Sequence, residues 1–177
     1  MGRNSGGNIK SAKPSYRTPA TVLSAERTIR GDGIETAFVF DKRGNTLKMV
    51  KGTSNSVAIG KVPKDSVVTH NHPSNGSFSP ADIMTAIDSD MAEIRAVGKT
   101  YTYSLTRPKK GWGDPAKAIA EYNKASREAK VEVDAFYYGG KAMGLDRSKG
   151  ANLLLPHLKM KKFAKAMGWE YTKTRIK

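Results

Sequence analysis

The stretch from Asp65 to Ile87 constrains this chain more than any other. A β-prone run, Asp65-Ser66-Val67-Val68-Thr69, leads without a break into His70-Asn71-His72-Pro73. A polar, glycine-containing loop follows, and then Ser79 stands directly before Pro80. A capping residue followed by proline at the first helical position is a helix-start signal, and Ile83, Met84, Ala86 and Ile87 supply the apolar members of that helix. In extended chain, residues two apart point to the same face, so His70 and His72 present both imidazoles on one side, as chelation of a single ion requires. Pro73 fixes the backbone dihedral just after the pair. Asp82 falls in the first turn of the helix, where the macrodipole favours a carboxylate.

Composition narrows what such a cluster can be. The 177 residues include no cysteine and only three histidines. That excludes a disulfide framework, a thiol nucleophile, an iron–sulfur cluster and every cysteine-ligated zinc site. Two imidazoles and one carboxylate leave one position of a tetrahedral ion open, which is the arrangement of a catalytic zinc and not of a closed structural one. A water in that position has its pKa lowered toward ~7 and needs a proton acceptor. Glu35 is the candidate, because it leads the apolar run Thr36-Ala37-Phe38-Val39-Phe40. By position alone the same residue also reads as a strand-end charge facing water.

The remaining pattern predicts α+β organisation. Thr21 to Arg30 reads as a short helix, and residues 35–40 and 46–51 read as a hairpin around Asp41-Lys42-Arg43-Gly44-Asn45. Residues 56–59 read as a short strand or the start of an excursion. Residues 93–98 and 100–105 suggest a strand pair around Gly98-Lys99. Pro115 to about Met143 is a helical pattern, and Asn152 to Met167 is a second one with a break at Pro156. Residues 169–176 read as a strand or an extended end. Strands first and helices after, with one helix inside the strand region, point to a mixed sheet flanked by helices.

Charge divides the chain into the same parts. Residues 1–19 carry four cations and no anion, residues 20–106 carry 10 cations against 9 anions, and residues 107–177 carry 17 against 7, within a net charge of +15. The expected organisation is therefore a flexible basic tail at 1–19, a nearly neutral core at 20–106 and a basic helical extension at 107–177 that packs on the core or follows it. The basic ends suit nucleic acid or another polyanion, or serve only as a solvated lysine face. No helix-turn-helix or zinc-finger pattern supports sequence-specific reading. No apolar stretch is long enough to span a membrane, and the amino-terminal residues lack the apolar core of a secretory signal, so a reducing, cytoplasmic setting is expected.

Read together, His70-Asn71-His72-Pro73-Ser74, followed by Ser79-Pro80-Ala81-Asp82, resembles the His-x-His-Pro…Ser-x-x-Asp signature of the JAMM (JAB/MPN) metalloproteins. It is nearest to their RadC-like and bacteriophage-borne branch. The likeness extends upstream to Glu35-Thr36-Ala37-Phe38-Val39-Phe40-Asp41 and Lys51-Gly52-Thr53, and covers roughly residues 30–106. The resemblance implies a curved mixed β-sheet flanked by helices, of the cytidine-deaminase-like kind. It implies zinc on His70, His72 and Asp82, with Glu35 as general acid/base and Ser79 supporting the oxyanion. Relatives with this full set hydrolyse peptide or isopeptide bonds, often at the carboxyl terminus of a ubiquitin-like protein, so a protein or peptide substrate is the expected partner. Phage-like company for the motif also suggests a virion-associated protein or one delivered into a host cell. The loop between Pro73 and Asp82 is slightly shorter than in RadC-like members, which bears on substrate contacts more than on ligation.

Two other readings stand beside this one. The first is a metal-dependent nuclease using the same three residues, although phosphodiester cleavage more often employs carboxylate-rich sites. The second is a JAMM-like scaffold whose basic ends do the docking. Among residues outside the motif, His157 in Leu155-Pro156-His157-Leu158 reads as a packing or surface histidine. Trp112 between two glycines reads as a loop side chain over the core or a stacking platform, and Lys159-Met160-Lys161-Lys162 and Lys173-Thr174-Arg175 as possible phosphate contacts.

Overall fold

The structure, a computed structural model, describes residues 16–177, so positions 1–15 of the expected basic tail lie outside the described residues. Helix α1 (Ala20–Ile29) leads to strands β1 (Thr36–Phe40), β2 (Thr46–Lys51) and β3 (Val67–Asn71). Helix α2 (Pro80–Asp88), strands β4 (Glu93–Val97) and β5 (Tyr101–Thr106), helices α3 (Pro115–Ala142) and α4 (Ser148–Met167) and strand β6 (Glu170–Arg175) complete the chain. The strands form one six-stranded sheet in the order β2-β1-β3-β4-β5-β6. Only β3 and β4 run parallel. Parallel neighbours need a crossover connection, and α2 provides it. The chain is α+β, a mixed sheet flanked by helices.

Alternation along the strands separates two faces. Ala37 and Val39, Val68, Ile94 and Ala96, and Tyr103 and Leu105 point to one side, where they meet Ile83 of α2 and the large core. Phe40 and Val67 point to the other side, where α1 covers them with Val22. His70 shares the parity of Val68 and so belongs to the large-core face, while Asn71 belongs to the opposite one.

The core crosses the boundary expected at residue 107. Trp112, Tyr122, Phe163 and Trp169 are all buried within it, and their rings meet edge to face: Trp112–Trp169 at 4.8 Å, Phe163–Trp169 at 5.0 Å and Tyr122–Phe163 at 5.5 Å between centroids. Each such pair contributes about 0.5–1.5 kcal/mol beyond area burial. Trp112, 3% exposed, donates its indole N–H to the Met91 carbonyl at 2.9 Å, so it is a core residue and not a stacking platform. Strand β6 pairs with β5 over its whole length. Residues 16–19 of the expected tail likewise touch the body, with the Thr18 hydroxyl donating to Glu93 at 2.9 Å.

Two segments that the sequence left open take a definite course. Residues 56–59 are irregular, because the Ser56 carbonyl bonds back to Thr53 N–H at 2.8 Å and folds the chain over Gly52. A Cβ at Gly52 would lie 2.0 Å from that carbonyl oxygen, so the turn depends on glycine. Helix α4 begins at Ser148 and runs through Pro156. Proline there removes one helical donor, and the extensive packing of α3 against α4 holds the helix together nonetheless. Among the described residues no helix is long and apolar enough to cross a membrane.

Candidate metal centre

Three elements bring the ligand set together. His70 lies within β3. His72 stands one residue past its end and keeps the extended course, because its N–H donates to the Val97 carbonyl of β4 at 2.9 Å. Asp82 comes from the first turn of α2, which packs across the same face. His70 Nε2 and His72 Nε2 lie 2.7 Å apart. Asp82 Oδ1 is 3.2 Å from His70 Nε2, and Asp82 Oδ2 is 3.7 Å from His72 Nε2. These are the only three His, Cys, Asp or Glu side chains among the described residues whose ligand atoms gather within reach of one ion.

The hydrogen bonds around the set settle which atoms face inward. His72 Nδ1 lies 3.0 Å from the Gly76 carbonyl oxygen. That oxygen can only accept, so Nδ1 carries the proton and Nε2 presents a lone pair. Asp82 is fixed by a capping box: its Oδ2 accepts from Ser79 N–H at 2.7 Å and from the Ser79 hydroxyl at 2.8 Å, and its own N–H donates to Ser79 Oγ at 3.2 Å. His70 is fully buried. Its Nδ1 has no hydrogen-bond partner among the described residues.

The electrostatics suit a cation. Burial opposes charge on His70, yet the Asp82 and Glu35 carboxylates outweigh it and hold its pKa above the usual imidazole value. Burial and the neighbouring His70 push His72 down. Burial also works against the charge on Asp82, but His70 beside it overrides this and holds the carboxyl far below the usual range. Two imidazole nitrogens and a carboxylate oxygen aimed at one spot are left with a single charge to share. One cation, whether a proton or a metal ion, satisfies all three, and the donor chemistry of the buried set fits a metal ion.

Glu35 reaches the site through strand register. Ala37 pairs with His70 across β1 and β3, so two residues upstream Glu35 comes level with His72 and on its face. The chain is pinned there by Glu35 N–H to the Thr53 carbonyl at 2.6 Å and Gly52 N–H to the Glu35 carbonyl at 2.8 Å. Glu35 is 8% exposed, which sets aside the reading of a strand-end charge facing water. Burial raises its pKa, with His70 partly opposing. Glu35, His72, Ser79 and Asp82 all line one cleft of about 310 Å³, closed on another side by the turn at Ser54–Val57. Ser79 is thus brought to the site, with its hydroxyl proton directed at Asp82.

Sequence reasoning passed over two residues that hold this geometry. Asn71, fully buried between the histidines, accepts Thr36 N–H on Oδ1 at 2.6 Å and donates Nδ2 to the Ile34 carbonyl at 2.8 Å, clamping the backbone on both sides of Glu35. The signal was its position: an amide on the face opposite two ligands has no apolar reason to be there. Asn75 sits at φ 62° and accepts Thr100 N–H at 3.2 Å, tying the post-β3 loop to the β4–β5 turn. A Cβ at Gly98 would lie 2.1 Å from Asn75 Oδ1, so that close approach needs glycine. His157 and the lysine runs of α4 and β6 lie outside the triad. Compared with known proteins, the chain matches no family model, no curated protein and no solved structure.

Proposed function

We propose that the chain is a zinc-dependent hydrolase of the JAMM type that cleaves a peptide or isopeptide bond. The observation that carries this reading is the convergence of His70 Nε2, His72 Nε2 and the Asp82 carboxylate beside a buried glutamate in one open cleft. Two neutral nitrogens and one carboxylate favour zinc over magnesium, which prefers oxygen donors. Zinc, when bound, supplies the Lewis acidity that makes a water nucleophilic near neutral pH. With zinc bound, Glu35 would be the group that takes a proton from the attacking water and passes it to the leaving nitrogen, a role for which a raised carboxyl pKa is suited. Ser79 orients Asp82 in the resting protein, and it supports the oxyanion only by redirecting its hydroxyl proton away from that carboxylate. The fold belongs to the same reading: a β3–α2–β4 unit delivering the ligands from strand end and helix start is what a JAB/MPN sheet would supply.

The test is hydrolysis by zinc-loaded protein of ubiquitin-like isopeptide conjugates and phage structural proteins, beside a nuclease control on single- and double-stranded DNA. The wild type should cleave a protein substrate. Glu35→Gln should keep zinc and lose at least a hundredfold in rate, the lower range for removal of a general base. Glu35→Gln acting like wild type, or DNA cleavage abolished by His72→Ala, would overturn the reading. The cationic surplus after residue 107 supports a second element, docking of the basic extension on a nucleic acid or similar polyanion. Such binding should weaken steeply as salt rises, and salt-independent or absent binding would remove it.

A further inference from the structure

The third histidine has a partner that its sequence context did not announce. His157 Nδ1 of α4 lies 3.2 Å from the Tyr171 hydroxyl of β6, and that hydroxyl lies 3.2 Å from Ser77 Oγ in the loop between β3 and α2. The Tyr171 ring stacks on Tyr103 of β5, with 6.4 Å between centroids and 5° between planes, which limits where the hydroxyl can point. Ser77 is buried and lies at the edge of the cleft that holds Glu35, His72 and Asp82.

The link from this chain to the metal centre runs through one peptide plane. The Gly76 carbonyl, which accepts the His72 Nδ1 proton, and the Ser77 N–H are two ends of a single planar unit. Gly76 has no Cβ, so the torsions on its own side of that plane are permissive. The orientation of the plane is therefore set by the anchors that flank it. Asn75 is tied to Thr100 upstream, and the Ser77 hydroxyl is tied to Tyr171 downstream.

We propose that Ser77, Tyr171 and His157 are positioning residues for the metal centre, holding the Gly76–Ser77 peptide so that its carbonyl takes the Nδ1 proton of His72 and leaves Nε2 free for the ion. The proposal rests on reading His72 as a metal ligand. It gives α4 and β6, the segment outside the motif, a part in the site. When the tether is cut, the carbonyl turns away and the tautomer protonated on Nε2, which cannot ligate through that atom, gains population.

Tyr171→Phe removes one hydroxyl and keeps the ring stack. The two readouts are ¹⁵N NMR of the His72 ring in metal-free protein, which reports the protonated nitrogen, and Zn²⁺ affinity by competition with a chromophoric chelator. In wild type His72 should be protonated on Nδ1. In Tyr171→Phe it should become a mixture of tautomers, with Zn²⁺ Kd weakened about tenfold, the lower end for groups behind a metal ligand. His157→Gln, which keeps an acceptor, should stay near wild type, and His157→Leu should follow Tyr171→Phe. A folded Tyr171→Phe with the wild-type tautomer and a Kd within about twofold would overturn the proposal. Should the wild type take no Zn²⁺ at all, the metal reading falls, and the tautomer shift alone still decides whether the tether acts on His72.

Discussion

On the α1 side of the sheet, Arg95 donates Nε to Glu26 at 2.5 Å and Nη1 to Glu93 at 2.6 Å. Thr69 donates to the Glu26 carboxylate, and Ser104 and Thr18 donate to that of Glu93. Glu26 and Glu93 are 5% and 2% exposed. Glu26, Glu93 and Arg95 thus each have partners of opposite sign or polar donors, and the cluster floors a larger cleft of about 390 Å³. On the other side, His70, His72 and Asp82 aim three acceptor-capable atoms at each other with one proton to share. The first cluster is closed and structural, and the second is held open by groups behind it. Burial is common to both, so burial alone does not mark a site. What separates them is whether the charged groups meet cations and donors fixed by the chain itself or converge on one another.

Breaking the closed cluster should have the largest effect. Arg95→Met leaves two buried carboxylates without their cation and should cost about 3–5 kcal/mol in denaturant unfolding. A loss below about 1 kcal/mol would mean that the cluster is solvated and the contrast is false. The open cluster should respond to ligand instead. Zn²⁺ at a thousandfold excess over Kd should stabilise the wild type by about 4 kcal/mol. Calorimetry should find that gain absent in His72→Ala. Ser79→Ala removes the helix cap and the hydroxyl on Asp82 Oδ2 together. It should cost ~1 kcal/mol of stability and also weaken Zn²⁺ binding, whereas a purely structural cap would lower stability alone.

The smallest expected effect is one of pH. The Glu35 carboxyl is raised by burial in the folded chain, so folding favours its protonated form. Its contribution to stability is present below the unfolded pKa and is lost as pH rises through the folded one. Metal-free Glu35→Gln should therefore be more stable than wild type at neutral pH, with the difference vanishing under acid conditions where Glu35 is protonated in both states. An equal difference at both pH values would show that packing, not ionisation, is responsible.

Much of this was legible from local rules. Alternation placed His70 and His72 on one face, and Ser79-Pro80 placed Asp82 in a helical first turn, because both patterns act within a few residues. Glu35 was ambiguous because its burial depends on the β1–β3 register and on the turn at Gly52, neither of which its neighbours in sequence reveal. Asn71, Asn75 and the His157–Tyr171–Ser77 chain were not legible at all. Their partners lie far along the chain, and only the sheet brings them together. Charge marked the segment after residue 107 as an extension but could not say whether it packs, because charge is a surface property; Trp112, Phe163 and Trp169 within it pack into the core.

His70, His72 and Asp82 form a group that could hold one metal ion. The most direct test of the claim that it does is the Zn²⁺ stoichiometry of purified, folded protein, read by isothermal titration together with metal analysis. The expected result is one ion per chain in the wild type and none in a folded His72→Ala variant. A folded wild-type chain that takes up no Zn²⁺, or a His72→Ala variant that binds it as well, would contradict the claim.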